Sequence, residues 1–359
     1  MTNDERPAIP AIIPSIAAST KTRRAPSVHK ATDVRLGRIV RLLMSHATVV
    51  ASGTKIAEEI GTSRSEVWRL IQQLRGLGVD VAGHPATGYR LRAVPDLLLP
   101  EMVGPLLKGT IFAKQLHHYY KTGSTNLEAM NAAAEGAPEG SVFLAEEQLA
   151  GRGRGAHSWH SAQSEGIYCS VIVRPPIPPS DALLLSLAAG LAAGAAVSEV
   201  MQIPVDLKWP NDLLVGGKKF CGILTEMNSE ATRVRYVVVG VGINVNQVKF
   251  PADLRAIATS LRMETGTEWS RVELCAALLK SLDREYRALL QEGEAARGSV
   301  LKRFEENSSS VRGCKVRVEE NGGIEGVTEG LDARGFLQVR TANGLRTVLS
   351  GTVRTFGNL

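Results

Sequence analysis

Leu36, Ile39, Val40 and Leu43 recur at helical spacing, so ordered structure is expected to open near Asp33. A second short helix over 54–60 turns Ile56, Ala57 and Ile60 inward and stops at Gly61. In TSRSEVWRLIQQLRGLG, Val67, Leu70, Ile71 and Leu74 fall at i, i+3, i+4 and i+7. Ser63 and Glu66 have the spacing of a capping box at the start of that helix. Its opposite face shows Arg64, Ser65, Trp68, Arg69, Gln72 and Arg75. Two short helices across a glycine turn, the second basic and polar outward, make a helix-turn-helix. VDVAGHPATGYRLR then reads as two strands, a wing with Arg90 and Arg92 on its return strand.

The rest of the chain divides by the same reading. Residues 1–32, rich in Pro, Ala, Ser and Thr without periodicity, are expected to be a disordered tail. The winged helix covers 33–94, and 95–110, with Pro95, Pro100, Gly104 and Pro105, is a connector. Over 111–307, apolar strand-like runs such as SVFLAEE, GIYCSVIVRP and VRYVVVGVGINVN alternate with helical runs at 125–135, 181–201 and 271–291. Val215-Gly216-Gly217-Lys218 is a tight hairpin turn. Strands joined by hairpins argue a mixed sheet with helices on one face. Short alternating stretches with NG and GG turns over 308–359 predict a small barrel. The fold class is thus α+β with three domains: a winged helix-turn-helix, a mixed-sheet central domain and a small β-barrel.

Composition sharpens this at one end. The net charge of +6 is carried by residues 1–94, with 14 Lys/Arg against 7 Asp/Glu. A basic first quarter suggests nucleic acid as its partner. The four cysteines, Cys169, Cys221, Cys275 and Cys314, lie far apart and form no CxxC pair, which fits a reducing cytoplasm. No signal peptide is read at the start. No apolar run reaches the roughly 18 to 20 residues of a membrane span; the Ala-rich run from Leu183 to Val197 reads as a buried helix.

Four stretches of the central domain can carry chemistry. GRGRG, residues 151–155, combines backbone freedom with Arg152 and Arg154, whose forked donors suit phosphate or carboxylate, and Trp159 anchors its end. Its glycine spacing matches neither a P-loop nor a dinucleotide fingerprint. In KWPNDLLVGGKKFCGIL, Lys208 follows an apolar strand start, where a lysine needs an anionic partner. GVGINVN places Gly240 and Gly242 where a flat ligand or a close backbone fits, with Asn244 beyond them. TGSTNLEAM offers a helix N-terminus with Ser124 or Thr125 as cap and Glu128 completing a box.

Taken together and in this order, TGSTN, EEQLAGRGRGAHSW, KWPNDLLVGGKKFCGIL and GVGINVN resemble the biotin protein ligases. The whole arrangement over 33–356 is similar to the bifunctional kind, which also represses transcription of biotin genes. That resemblance implies ATP, Mg²⁺ and biotin as reactants, and biotinyl-5′-adenylate as the intermediate. It implies that biotin then passes to a lysine of a biotin carboxyl carrier domain. Operator DNA and a homodimer promoted by adenylate follow from the same resemblance. Ser124, Thr125, Asn126 and Gln148 would bind biotin's ureido head, and Gly151, Arg152 and Arg154 would close over carboxylate and phosphate. Lys208 would meet carboxylate and α-phosphate, with Trp159, Asn211, Asn244 and Arg354 on the nucleotide side and Mg²⁺ near Asn244. One departure stands out: GRGRGAHSW has Ala156 where the family usually has glycine and His157 where it usually has arginine. Two other readings stay open: a DNA-binding regulator that only senses biotin, and a lipoate-type ligase. VRYVVVG or an adjacent strand would supply the dimer edge.

Overall fold

The computed structural model describes residues 28–45, 50–84, 88–93, 95–319 and 323–356; the expected tail up to residue 27 and the wing tip lie outside them. Helix α1 spans Val28–Ser45, so it begins inside the stretch expected to be a disordered tail. Helices α2 (Gly53–Ile60) and α3 (Arg64–Gly76) follow, separated by Gly61 in the left-handed region at φ 67°. The Ser63 hydroxyl accepts from the Glu66 amide, one half of the expected capping box. Strands β1 (Val81–His84) and β2 (Gly88–Leu91) pair antiparallel as the wing. Val67, Leu70, Ile71 and Leu74 are buried in the core that α1, α2 and the wing share.

The connector is not a free linker. It carries a four-residue helix, α4 (Pro100–Val103), and its apolar side chains alternate between two cores. Leu97 and Leu99 are buried with the winged helix, and Leu98, Val103 and Leu107 with the central domain. Proline and glycine spacing suggested a connector, and the five buried apolar side chains along it favour docking over solvation.

The central domain is a seven-stranded mixed sheet. Its elements in order are β3 (Gln115–Tyr119), α5 (Thr125–Ala134), β4 (Ser141–Ala145), β5 (Gly166–Val173), α6 (Ala182–Met201), β6 (Asp206–Lys208), β7 (Asp212–Val215), β8 (Lys218–Ser229), β9 (Val234–Asn244), α7 (Leu261–Thr265), α8 (Arg271–Gln291) and α9 (Glu294–Glu306). Strand order is β3-β4-β5-β9-β8-β7-β6, with only β3–β4 parallel. Helices cover both faces, not one. Helices α6, α8 and α9 bury one face, while Ala129, Met130 and Ala133 of α5 pack on the other against Phe143, Tyr168 and Val238. Helix α6 is long and apolar enough to cross a membrane, yet it is a core helix packed under the sheet and against α8. The hairpin at Gly216 and Gly217 has both glycines at positive φ, 59° and 78°, as a two-residue primed turn requires.

Strands β10 (Arg312–Glu319), β11 (Ile324–Leu331), β12 (Leu337–Thr341), β13 (Gly344–Val348) and β14 (Thr352–Thr355) form an antiparallel sheet in the order β13-β12-β11-β10-β14. No pairing between β13 and β14 is present among the described residues, so the small barrel is open. Its apolar face, with Val316, Val339 and Val353, is continuous with the central core. Docking is reinforced at β6: Ser309 donates its amide and hydroxyl to Asp206 at 2.7 and 2.8 Å, and the Trp209 indole donates to the Gly335 carbonyl at 2.9 Å.

Candidate active site

A cleft of about 950 Å³ opens between the sheet's α5 side, the strand ends of β6–β8 and the small C-terminal domain. It gathers residues far apart in sequence: Ser124, Thr125, Asn126, Gln148, Arg152, Arg154, Trp159, Lys208 and Asn211 all line it. The third domain adds Glu319, Phe336 and the segment from Leu349 to Val353.

Its inner wall is a hydrogen-bonded polar set. The expected box between Ser124 or Thr125 and Glu128 does not form. Ser124 makes no side-chain cap, and the free amide of Thr125 donates instead to Gln148 Oε1 at 2.8 Å. Glu128 accepts from the Thr122 hydroxyl. Gln148 in turn donates to Ser161, and Ser170 donates to Thr125 Oγ1 and to Asn126 Oδ1 at 2.7 and 2.6 Å. Asn126 donates to Glu226 at 2.9 Å and to the Leu224 carbonyl. Thr122, Thr125, Asn126, Ser161 and Ser170 are buried, and their polarity is tolerated because each is paired.

Two glycines make room for that wall. A Cβ on Gly240 would stand 2.0 Å from Asn126 Oδ1, and one on Gly242 would stand 2.6 Å from the Trp159 indole. The close approach read from GVGIN is therefore an approach of side chains, an amide and an aromatic ring. Trp159 lies flat against β8 and β9 at Gly222 and Gly242, with Lys219 Nζ 5.4 Å from its ring centre.

The GRGRG loop folds over the cleft as a tight hairpin. Gly153 donates to the His157 carbonyl at 2.7 Å, Trp159 donates to Gly151, and Gly155 turns at φ 59°. Gly151 is buried against Trp159, Ser161 and Gln148 and does not line the cleft; it lets the loop leave the wall closely. Arg152 reaches Glu226 at 3.2 Å, and Arg154 donates to Asn211 Oδ1 at 3.3 Å. Lys208, half-buried at the end of β6, makes no hydrogen bond or ion pair among the described residues. Among the described residues, no side chain supplies the anionic partner that its position calls for.

Besides Gly151, two predicted residues fall outside the cleft. Asn244 is buried, donating to the Thr259 carbonyl and accepting from Gln247, so it pins the loop after β9. It stands at the end of a central strand, facing the following loop. Arg354 is exposed on β14 and pairs with Glu319; the turn before it, not Arg354, faces the cleft. Lys219 was missed: the hairpin returns it beside Asp212, at 2.6 Å, on the cleft wall. Its signal was the second lysine of KKFCGIL, directly after the turn and three residues before Gly222, which stands under Trp159.

On α3, Arg64, Ser65, Trp68 and Arg69 are exposed and Gln72 half-buried. Arg69 is held bidentately by Glu66 at 2.6 and 2.8 Å. Arg75 is exposed as well, and its Nε and Nη2 donate to the Val81 carbonyl, so it also ties the wing to α3.

Comparison with known proteins agrees with this geometry. Residues 121–244 match the biotin/lipoate A/B protein ligase family, 35–90 an HTH domain, and 312–354 the biotin protein ligase C-terminal domain. The chain is 35% identical over 318 residues to the bifunctional ligase/repressor BirA of Bacillus subtilis, covering 88% of this chain and 97% of that protein. The Escherichia coli protein of that name is 28% identical over 84% of this chain and 92% of its own. The biotin protein ligase of Aquifex aeolicus, solved with biotin and ATP, superposes with a TM-score of 0.59 at 29% identity, covering 68% of this chain and 100% of that one. The chain belongs to the biotin protein ligase family, in the bifunctional form that carries an N-terminal helix-turn-helix domain.

Proposed function

We propose that this chain activates biotin with ATP and transfers it to a lysine of a biotin carboxyl carrier domain. The observation that carries this reading is a single cleft that joins a polar wall, a flat aromatic and four cations. Thr125, Asn126 and Gln148 offer donors and acceptors suited to a cyclic urea, beside Trp159. Arg152, Arg154, Lys208 and Lys219 then stand where a carboxylate would meet a phosphate. In the first step a biotin carboxylate oxygen bonds to the α-phosphorus, and the bond to the β-phosphate oxygen breaks, releasing pyrophosphate. In the second, the acceptor lysine's amine attacks the acyl carbon, loses a proton, and AMP leaves. Both nucleophiles come from substrates, so the protein's work is positioning and offsetting the repulsion of two anions. Mg²⁺ would be held largely by substrate phosphates with one or two protein carboxylates; Asp212 on the cleft wall would fit that need, whereas Asn244 does not line the cleft. When bound it neutralises phosphate charge.

The DNA-binding half rests on α3. Its exposed Arg64, Ser65 and Trp68 fit the major groove, with Gln72 at its edge. A homodimer would set two such helices on a palindrome. Most of VRYVVVG is covered on both sides, since β5 and β8 flank β9 from Val237 onward. The adjacent β8 suits the role of dimer edge better: β7 covers it only as far as Gly222, leaving Thr225–Ser229 with a strand on one side alone among the described residues. Incubating the protein with ATP, Mg²⁺, biotin and an isolated carrier domain tests the ligase reading: one added biotin on one lysine is expected by mass spectrometry. An unmodified carrier beside firm biotin binding would favour the sensor reading.

A further inference from the structure

Glu146 is fully buried, one residue past β4 and two before Gln148. Its Oε1 accepts from the Leu98 amide at 2.8 Å and meets His118 Nε2 at 3.1 Å. Its Oε2 accepts from Arg271 Nη1 at 2.7 Å and from Ser164 at 3.2 Å. Arg271, also buried, opens α8 and reaches into the connector: its Nε and amide donate to Asp96 at 3.0 and 3.1 Å. The Val272 amide takes the other oxygen of Asp96. A buried ion pair of this kind is poor evidence for stability alone. Its placement is informative.

The connector side of the cluster, Asp96 and Leu98, alternates with Leu97 and Leu99, which are buried in the winged-helix core. The other side is the root of the ligand loop. The segment after Trp159 touches three places at once: Ser161 accepts from Gln148, Gln163 donates to the Gly76 carbonyl at the end of α3, and Ser164 bonds Glu146. One carboxylate therefore fixes the strip that holds Gln148 and Gly151, and the connector fixes the carboxylate.

We infer that Glu146 is a positioning residue for the ligand loop, and that Arg271 and Asp96 make its position depend on how the winged helix is seated. This rests on the reading of the cleft as the biotin site. Coupling between sites is reciprocal, so biotin must also tighten the connector.

The test is Asp96→Ala in the full chain. Asp96 is partly exposed, so its loss leaves the buried Glu146–Arg271 pair intact. Biotin affinity is expected to fall about tenfold, with turnover at saturating biotin changed less than about twofold. Asp96→Asn, which keeps one acceptor, is expected to restore most of the affinity. Amide hydrogen exchange over 96–99 should slow when biotin is added to the wild type and not in Asp96→Ala. Unchanged affinity in Asp96→Ala, with faster exchange confined to the winged helix, would make the cluster a mere staple. Wild-type protein that takes up biotin while its connector exchanges as before overturns the coupling alone. Wild-type protein that takes up no biotin overturns the reading of the cleft, and the coupling falls with it.

Discussion

Lys208 ends a three-residue edge strand and faces the cleft with no partner among the described residues. A half-buried ammonium in that position is an anion site by its electrostatics. Replacing it by alanine removes one preorganised charge, which typically costs about 3 to 4 kcal/mol in the transition state. Lys208→Ala is therefore expected to slow adenylate formation by roughly 10²- to 10³-fold, read as pyrophosphate release; near-normal release would remove Lys208 from the site and leave the task to Lys219. Gly242 tests the aromatic wall. A methyl group there would meet the Trp159 ring at 2.6 Å. Gly242→Ala should displace the indole, change its fluorescence and weaken biotin binding by about tenfold, within the range of small shape changes in a packed site. An unchanged emission spectrum with unchanged affinity would show that the ring is not held where biotin sits.

Helix α3 gives the clearest contrast between neighbours on one element. Arg64 and Arg75 are both exposed, but only Arg75 donates to the Val81 carbonyl. Arg64→Ala should reduce the salt dependence of binding to duplex DNA by about one counterion in the log–log slope. Arg75→Ala should instead lower the melting temperature of the winged helix and leave that slope nearly unchanged. Equal effects of the two on the slope would contradict the assignment of Arg75 to the wing. The same helix shows what was legible beforehand. Its inward face followed from helical spacing, while α6 was legible as an unbroken Ala-rich apolar run that is buried nearly all round. Side chains whose partners lie across long sequence distances were not legible. Asn244 and Arg354 had the right residue type in the right motif, yet Thr259 and Glu319 hold them elsewhere. Gln148 capping Thr125, and Asp212 beside Lys219, likewise depend on strand register that no local pattern encodes. The docking of the connector was likewise not legible, since Leu97 and Leu99 enter one core and Leu98 another.

At the scale of the whole molecule, the three sequence domains are fastened by buried polar contacts as much as by apolar ones. Burial alone would raise the Glu146 pKa, but the charge of Arg271 and the bond with His118 outweigh it and hold it at about 2. A carboxyl lowered in the folded state stabilises it fully above its unfolded value, near 4.5, and loses that contribution as pH falls towards 2. The difference corresponds to a contribution on the order of 3 kcal/mol at neutral pH. In urea melts, the wild type should therefore lose stability more steeply than Glu146→Gln between about pH 4.5 and 2; parallel curves would mean that the pair is not ionised when folded. The cleft itself lies where all these fastenings meet, lined by the sheet, the GRGRG loop and the C-terminal domain together. Its chemistry is tested most directly by pyrophosphate release on mixing the full chain with ATP and Mg²⁺ and then biotin, lipoate or octanoate. Release with biotin alone is the expected result. Release with lipoate instead, or no release while biotin binds, would contradict a biotin-activating ligase.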